Sequence, residues 1–512
     1  MMGVMNHLMV KPNWHKKVFN TTIATKWEQE ARALPNFSKR TWRYCLAELR
    51  DKADEFNASG ISLPIDFDSQ VAYSDSSVPQ LIVNQLTSAV TALEENLSAY
   101  KDWHLGSNGQ ALDLVHPSLF PLVFGRTRVL KDTVLSLHDC LLHSGEGEIC
   151  QIPPKLEEYW PLGRPPGYLG PPWLPCEIDI EDPKTATVVS YINNFHPVTH
   201  IDLYHIIEKL ITAYLPLWNQ FLKNTESGLD KSRIDINDFG WHMPYGENSP
   251  EDWVDDHNAD NEAVLERLAL EARFQQTLIV DEEEIIEDSV AGWQRRESKD
   301  HHLEGSRWQW ATRISMEPEP RGFEMQDTSD TVRLPFDLMR DHKQIQVIVK
   351  LAGIHLSPDN PNYSGGSCHV EGRLNEHIVA NALFYYDQVN IGPSHLAFRQ
   401  NVEMEGGSSF SYAHSEFQHL ETIMGIDNEV YAVQKLGEVL TKTGRLVACP
   451  NVLQHRVLPS ALEDPTKPGH SKILAWFLVD PHVKILSIAN VPPQQHTWWA
   501  KELVQERETS ED

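Results

Sequence analysis

The sequence predicts an α+β protein: a mostly helical first half followed by a β-rich second half. Three observations carry this expectation. Apolar residues recur at helical spacing in several runs before residue 225. From about Thr331, short β-branched runs alternate with turn residues. Between the two lies a strongly acidic stretch. The expected organisation is a helical or mixed region over 1–225, an acidic insertion over 226–330, a β core over 331–495 and a polar tail over 496–512.

Along residues 25–56 the pattern WEQEARALPNFSKRTWRYCLAELRDKADEF reads as two helices interrupted near Pro35, because proline removes a backbone donor and Ser38 is suited to cap the second helix. A further amphipathic helix begins near Val78 in VPQLIVNQLTSAVTALEENL. Between Cys150 and Cys176, repeated prolines with Trp, Tyr and Gly preclude regular helix and favour an aromatic-pinned connection. The run ATVVSYINNFHPVTHIDLYHIIEKLITAYLPLWNQFL reads as a strand through Tyr191, a turn and a strong helix. His196, His200 and His205 in it read as capping or core histidines, since no carboxylate completes a metal shell there. Residues 251–290 hold 14 Asp and Glu against Arg267 and Arg273, the composition of a solvated helix face or mobile loop. Beyond 331 the runs KQIQVIVKLAGIHL, SGGSCHVEG, HIVANALFYYDQVNI, HLAFRQNVEM, EVYAVQKLGEVLT, GRLVACPNVLQHRVL and SKILAWFLVDP predict strands of a sandwich or barrel.

Composition narrows the function classes. A formal charge of −29 argues against a broad phosphate-binding surface, so neither nucleic acid nor an anionic membrane is an expected partner. The six cysteines lack CxxC spacing, which disfavours zinc knuckles and a disulfide scaffold. No run approaches the ~18 apolar residues of a membrane span, and the N-terminus lacks a signal-peptide pattern. A cytoplasmic protein is the expectation; composition says nothing of oligomeric state.

His369, Glu371 and His455 are the candidate metal ligands. Alternate residues of an extended chain share a side, so His369 and Glu371 can point together while Val370 points away. The third ligand must come from a strand near in space and distant in sequence, and NVLQHRVLP supplies His455. Two imidazoles and a carboxylate with open positions suit non-heme Fe(II), with zinc the chemical alternative. Buried, hydrogen-bonded histidines are the competing reading.

The same segments resemble a largely uncharacterised fungal domain family. The resemblance rests on IQVIVKLAGIHLSPDNPNYSGGSCHVEGRLNEHIVANALFYYD, LAFRQ, GRLVACPNVLQHRV and KPGHSKILAWFLVDPHVKILSIANVPPQQ, and upstream on VHPSLFPLVFGRTRVL and VVSYINNFHP. That family in turn resembles Fe(II)/2-oxoglutarate dioxygenases. The resemblance implies a double-stranded β-helix core of jelly-roll or cupin-like type with the helical region packed around it. It also implies His369, Glu371 and His455 as iron ligands, and 2-oxoglutarate and O2 as co-substrates. It is similar as well to fungal oxygenases of small amino acids, including aziridine-forming ones of the 2-aminoisobutyrate pathway, so the implied outcome is hydroxylation or oxidative ring closure at an unactivated C–H bond.

Two positions depart from the family pattern: Ser471 stands where Arg is usual and Cys368 where Trp is usual. In the wider class an Arg or Lys starting the last strand clamps the distal carboxylate of 2-oxoglutarate, and Ser471 cannot supply that charge. Alternation puts Lys472 on the opposite face, so it is no automatic replacement. Lys350, which shares a face with Gln346 and Ile348, is the first substitute; Arg399 and Arg456 are the next candidates, Arg456 pointing opposite His455. Hydrolase readings fail for want of a G-x-S-x-G elbow or a P-loop. Cys368 reads as a small buried thiol, not a nucleophile. Two rivals stand beside the oxygenase: a pseudoenzyme that keeps the metal ligands but serves as a binding protein, and a hydroxylase of protein side chains, marked by a long open groove.

Overall fold

The computed structural model describes residues 1–34, 37–65, 71–96, 101–151, 171–182, 184–222, 240–242, 314–316, 320, 323, 337–401 and 431–498. The acidic stretch 251–290 and most of the Pro/Trp-rich connection lie outside them. The chain divides into two compact units. One comprises residues 1–231, 324–403 and 431–512; the other comprises 232–323 and 404–430.

In the first unit, α1 (Met2–Met9), α2 (Trp14–Lys17), α3 (Thr21–Arg32) and α4 (Lys39–Ser59) bury Met5, Trp14, Trp27, Trp42 and Leu49 among themselves. Ser38 caps α4, its hydroxyl accepting from the Arg40 and Thr41 N–H groups, and Gly60 at φ +72° ends it. Next along the chain come β1 (Ala72–Ser74), α5 (Gln80–Asn96), β2 (Asp102–Trp103), β3 (Ala111–Val115), β4 (Arg128–Val129), β5 (Glu148–Ile149), β6 (Cys176–Asp179), β7 (Thr187–Val188) and α6 (Ile201–Leu222). The described part of the second unit includes one antiparallel pair, β8 (Gly240–His242) with β9 (Ile314–Met316).

The remaining strands are β10 (Gln344–Leu356), β11 (Asn362–Tyr363), β12 (Ile378–Val389), β13 (Ser394–Asn401), β14 (Val433–Thr441), β15 (Arg445–Pro450), β16 (Gln454–Val457), β17 (Ser460–Ala461) and β18 (Gly469–Val479). A nine-stranded antiparallel sheet runs β1-β15-β12-β18-β10-β3-β2, with β6 also on β10 and β7 on β6. It does not close into a barrel. Five of its strands come from before residue 225, so the first half of the chain builds sheet as well as helices. A three-stranded sheet, β14-β13-β16, stands beside it.

Period-two alternation sorts the large sheet's two faces. Ala382, Phe384, Leu474, Trp476 and Val349 face α5 and α6 and join the main core. Leu383, Tyr385, Ala475 and Phe477 face the other way, where they meet Leu396, Phe398, Leu436 and Val439 of the small sheet. Each large apolar side chain so buried contributes about 1.5–3 kcal/mol. Two sheets thus enclose a second core, and the site opens from it.

The run SGGSCHVEG, expected as a strand, forms no regular strand: it meets β16 through an isolated bridge at His369 and the Gly366 N–H donating to the Val457 carbonyl. Glycines explain this. A Cβ on Gly365 (φ +87°) would lie 2.9 Å from the Val457 carbonyl oxygen, and one on Gly372 (φ +65°) 2.6 Å from Ile378 Cδ1. Each bends the chain where a ladder would otherwise continue. All six cysteines are free thiols. No helix among the described residues is long and apolar enough to cross a membrane.

Candidate metal centre

His369 and His455 are brought together by the backbone. The His369 N–H donates to the His455 carbonyl at 3.1 Å and the His455 N–H to the His369 carbonyl at 2.9 Å. Residues that exchange both bonds lie directly opposite with side chains on the same side, and the two rings are 4.8 Å apart. Glu371, two residues on, turns its Oε1 to 3.6 Å from His369 Nε2 and 3.4 Å from His455 Nε2. Val370 faces away and is exposed.

Side chains of the surrounding chain set this geometry. His369 Nδ1 lies 2.8 Å from the Ser367 carbonyl oxygen, a hydrogen bond that fixes the ring with Nδ1 donating there and Nε2 turned toward Glu371. Asn451 grips the Glu371 peptide on both sides: its Oδ1 accepts the Glu371 N–H and its Nδ2 donates to the Glu371 carbonyl, each at 2.9 Å. Asn381 Nδ2 holds Asn451 Oδ1 at 2.9 Å. Burial pushes the Glu371 carboxyl up, but hydrogen bonds from His369 and His455 and their charge outweigh it and bring it down to about 2. The His369 imidazole is raised, chiefly by its bond to Glu371, against burial.

These residues fit a divalent ion. Bonds of about 2.0–2.1 Å from nitrogen and oxygen separate neighbouring donor atoms by roughly 3.0–3.4 Å, and here the separations to the shared carboxylate oxygen are 3.4 and 3.6 Å. Two neutral imidazoles and an ionised carboxylate leave positions open on such an ion.

The trio lies in the wall of a cavity of about 390 Å³ between the sheets. Lys350 and Ser471 also line it. Lys350 Nζ stands 3.3 Å from Asp113 Oδ1, and Asp113 is buried. Ser471 pairs in register with Ile354, four residues along β10 from Lys350, or about 13 Å at strand rise. The two therefore serve different ends of the cavity. Lys472 faces the opposite side, its Nζ 2.9 Å from Glu94 and 3.7 Å from Asp387, as alternation requires.

Gln346 and Arg399 do not line the cavity. Gln346 is buried, its Nε2 donating to Glu177 Oε1 and the Ile485 carbonyl at 2.9 and 2.8 Å. Arg399 donates to Gln454 Oε1 at 2.7 Å, because β13 turns Leu396 and Phe398 inward and Arg399 out. Arg456 is exposed while its neighbour His455 is buried. Cys368 is partly buried. His196 packs at a tilt against Trp498, His200 stacks on Phe195, and His205 lies 3.2 Å from Glu208. Asn451 and Asp113 contact Glu371 and Lys350 and were not singled out in the sequence. The Pro-Asn step before the last histidine hints at the first; nothing links Asp113 to residues over 230 positions away.

Residues 39–502 match the profile of a protein family of unknown function, DUF4246, and residues 1–30 match that of its N-terminal domain, DUF4246_N. The chain belongs to this family. No curated protein matches it. Among solved structures, a selenomethionine-labelled Fe(II)/(alpha)ketoglutarate-dependent dioxygenase, TqaL, is similar at 11% identity and a TM-score of 0.18, over 31% of this chain and 53% of its own. A bsmA homologue from Methylobium petroleophilum PM1 is similar at 9% identity and a TM-score of 0.16, over 27% of this chain and 42% of its own. The chain thus spans about half the length of these structures or less, and at such TM-scores neither likeness bears on its function.

Proposed function

We propose that this chain is an Fe(II)- and 2-oxoglutarate-dependent oxygenase of a small molecule, its two facing sheets forming the halves of a double-stranded β-helix. One observation carries the reading: two imidazoles and an ionised carboxylate, from segments 84 residues apart, converge on one point in the wall of a cavity sized for a small molecule. His369 Nε2, Glu371 Oε1 and His455 Nε2 would hold the ion. Bound there, Fe(II) supplies the coupled oxidation of 2-oxoglutarate and a substrate C–H bond by dioxygen.

The chain's residues do the rest. Glu371 is ionised before any metal arrives, so binding displaces no proton from it. Among the described residues Lys350 is the one Lys or Arg on the cavity wall, and its ammonium anchors the distal carboxylate of the co-substrate, drawn from Asp113. Ile473, Phe477 and Leu396 contact the carbon skeleton and keep water from the reacting bond. The Ser471 end accepts the substrate, for which an amino acid is the first class to test.

A second reading, a metal-keeping binding protein without turnover, is favoured by the pairing of Lys350 with Asp113 and by the uncharged Ser471. Iron-loaded protein given 2-oxoglutarate and oxygen separates the two. The oxygenase releases succinate, stimulated by the right substrate and abolished by Glu371→Gln; the binding protein takes up 2-oxoglutarate in a Lys350-dependent way and releases none. If neither uptake nor succinate is seen, both readings fall.

A further inference from the structure

Strands β2, β3 and β10 lie side by side, and β2 pairs with β3 so that Asp102 stands directly opposite Asp113. Like charges directly opposite across a ladder repel, and the Asp113 side chain is only 3% exposed, so the pair needs positive charge. Lys350 supplies one unit on Asp113 Oδ1 at 3.3 Å. With neutral imidazoles, one negative charge remains.

Two histidines converge on what Lys350 leaves. His104, just past β2, brings Nδ1 to 3.2 Å from Asp113 Oδ2. His116, just past β3, brings Nδ1 to 3.1 Å from Asp102 Oδ2 and 3.6 Å from Asp113 Oδ2. Both rings present the same nitrogen, and the donor atoms of His104, Asp113 and His116 all lie within 4.8 Å of one another.

We infer that His104, Asp113 and His116, with Asp102 alongside, form a second divalent-cation site suited to zinc. Separations of 3.1–3.6 Å between nitrogen and oxygen donors match the roughly 3.3–3.4 Å edge of a tetrahedron with bonds of about 2.0–2.1 Å. A mixed imidazole and carboxylate set is what zinc accepts. The ion takes Asp113 Oδ2 while Lys350 keeps Oδ1, so ammonium and metal share one carboxylate and compete for its charge. His104 and Asp113 also line the cavity, which gives the ion a route in. None of these donors belongs to the trio of His369, Glu371 and His455, so the inference does not require the oxygenase reading, although the two meet at Lys350 and Asp113.

The full chain, stripped of metal, is titrated with zinc by calorimetry, and bound metal is counted by elemental mass spectrometry. Two equivalents are expected. Glu371→Gln loses or weakens one and leaves the other, whereas Asp113→Asn removes the other. Half-exposed His104→Ala weakens the second site at least tenfold with little effect on Tm, which covers the case in which Asp113→Asn does not fold. Lys350→Ala, freeing Asp113 of its ammonium, tightens it on the order of tenfold. Zinc binding unchanged by His104→Ala and by Lys350→Ala would overturn the inference, and the cluster would then be a hydrogen-bonded ion pair. A single equivalent lost with Glu371→Gln overturns it too. A single equivalent lost with Asp113→Asn and His104→Ala supports it and sinks the reading of the other trio instead.

Discussion

Glu371 is aimed through its own peptide, not by a regular strand, because Asn451 replaces the ladder partners that the glycine-flanked segment lacks. Asn451→Ala is therefore expected to weaken metal binding at His369, Glu371 and His455 about 10- to 100-fold, with Asn451→Asp restoring less than half of the loss because it cannot donate to the Glu371 carbonyl. Metal titration of the folded variants checks this; an unchanged affinity would make Asn451 purely structural. The trio itself was legible in the sequence, since spacing of two puts His369 and Glu371 on one side whether or not a strand forms. The residues around it were less so. Gln346 and Lys350 share a strand face on paper, yet Gln346 is drawn into bonds with Glu177 and Ile485, partners that no local pattern announces. Lys350 does reach the cavity, but its pairing with Asp113 depends on a contact between β3 and β10 that only the tertiary fold makes.

Long elements were readable and short ones were not. The runs expected as strands at KQIQVIVKLAGIHL, HIVANALFYYDQVNI and SKILAWFLVDP became β10, β12 and β18, whose many apolar residues must be buried on both faces. The helix break expected between residues 25 and 56 is found, α3 ending at Arg32 and α4 opening at Lys39 behind the Ser38 cap. The two residues of β2 and five of β3 carry too little periodicity to stand out, although they set Asp102 opposite Asp113 and bring Asp113 to the cavity wall. Because β18 is the central strand on which both faces depend, Trp476→Ala should cost about 3–5 kcal/mol, its ring being fully buried 4.5 Å from Tyr214. Ser38→Ala should cost only about 1 kcal/mol, the value of one helix cap. Urea unfolding of the two variants measures both, and similar losses would mean that β18 does not dominate the core.

Across the whole molecule, distant parts of the chain are tied by charge. Arg445 on β15 forks onto Asp75, just past β1, at 2.7 and 2.8 Å, with Lys442 adding a contact at 2.9 Å. Burial pushes the Asp75 carboxyl up, but the Arg445 hydrogen bonds and charge and then Lys442 outweigh it and hold it below its ordinary value. Asp387 is likewise held down, first by its bond to His470. A depressed folded pKa stabilises the fold above the unfolded value, about 3.9, and that stability is lost as pH falls through the folded pKa. Thermal stability should therefore hold down to about pH 4 and decline below it, and Asp75→Asn should flatten part of that decline; melting curves between pH 6 and pH 2.5 test the slope. The formal charge of −29 was legible from composition, whereas the partners that fix these carboxylates belong to the fold.

The most direct measurement is the anomalous scattering of a crystal soaked without oxygen in Mn(II), a redox-silent stand-in for Fe(II). One peak is expected about 2.0–2.3 Å from His369 Nε2, Glu371 Oε1 and His455 Nε2 together. Either imidazole turned away from Glu371, or full-occupancy metal elsewhere with none between these three atoms, would contradict the metal centre and the oxygenase reading with it.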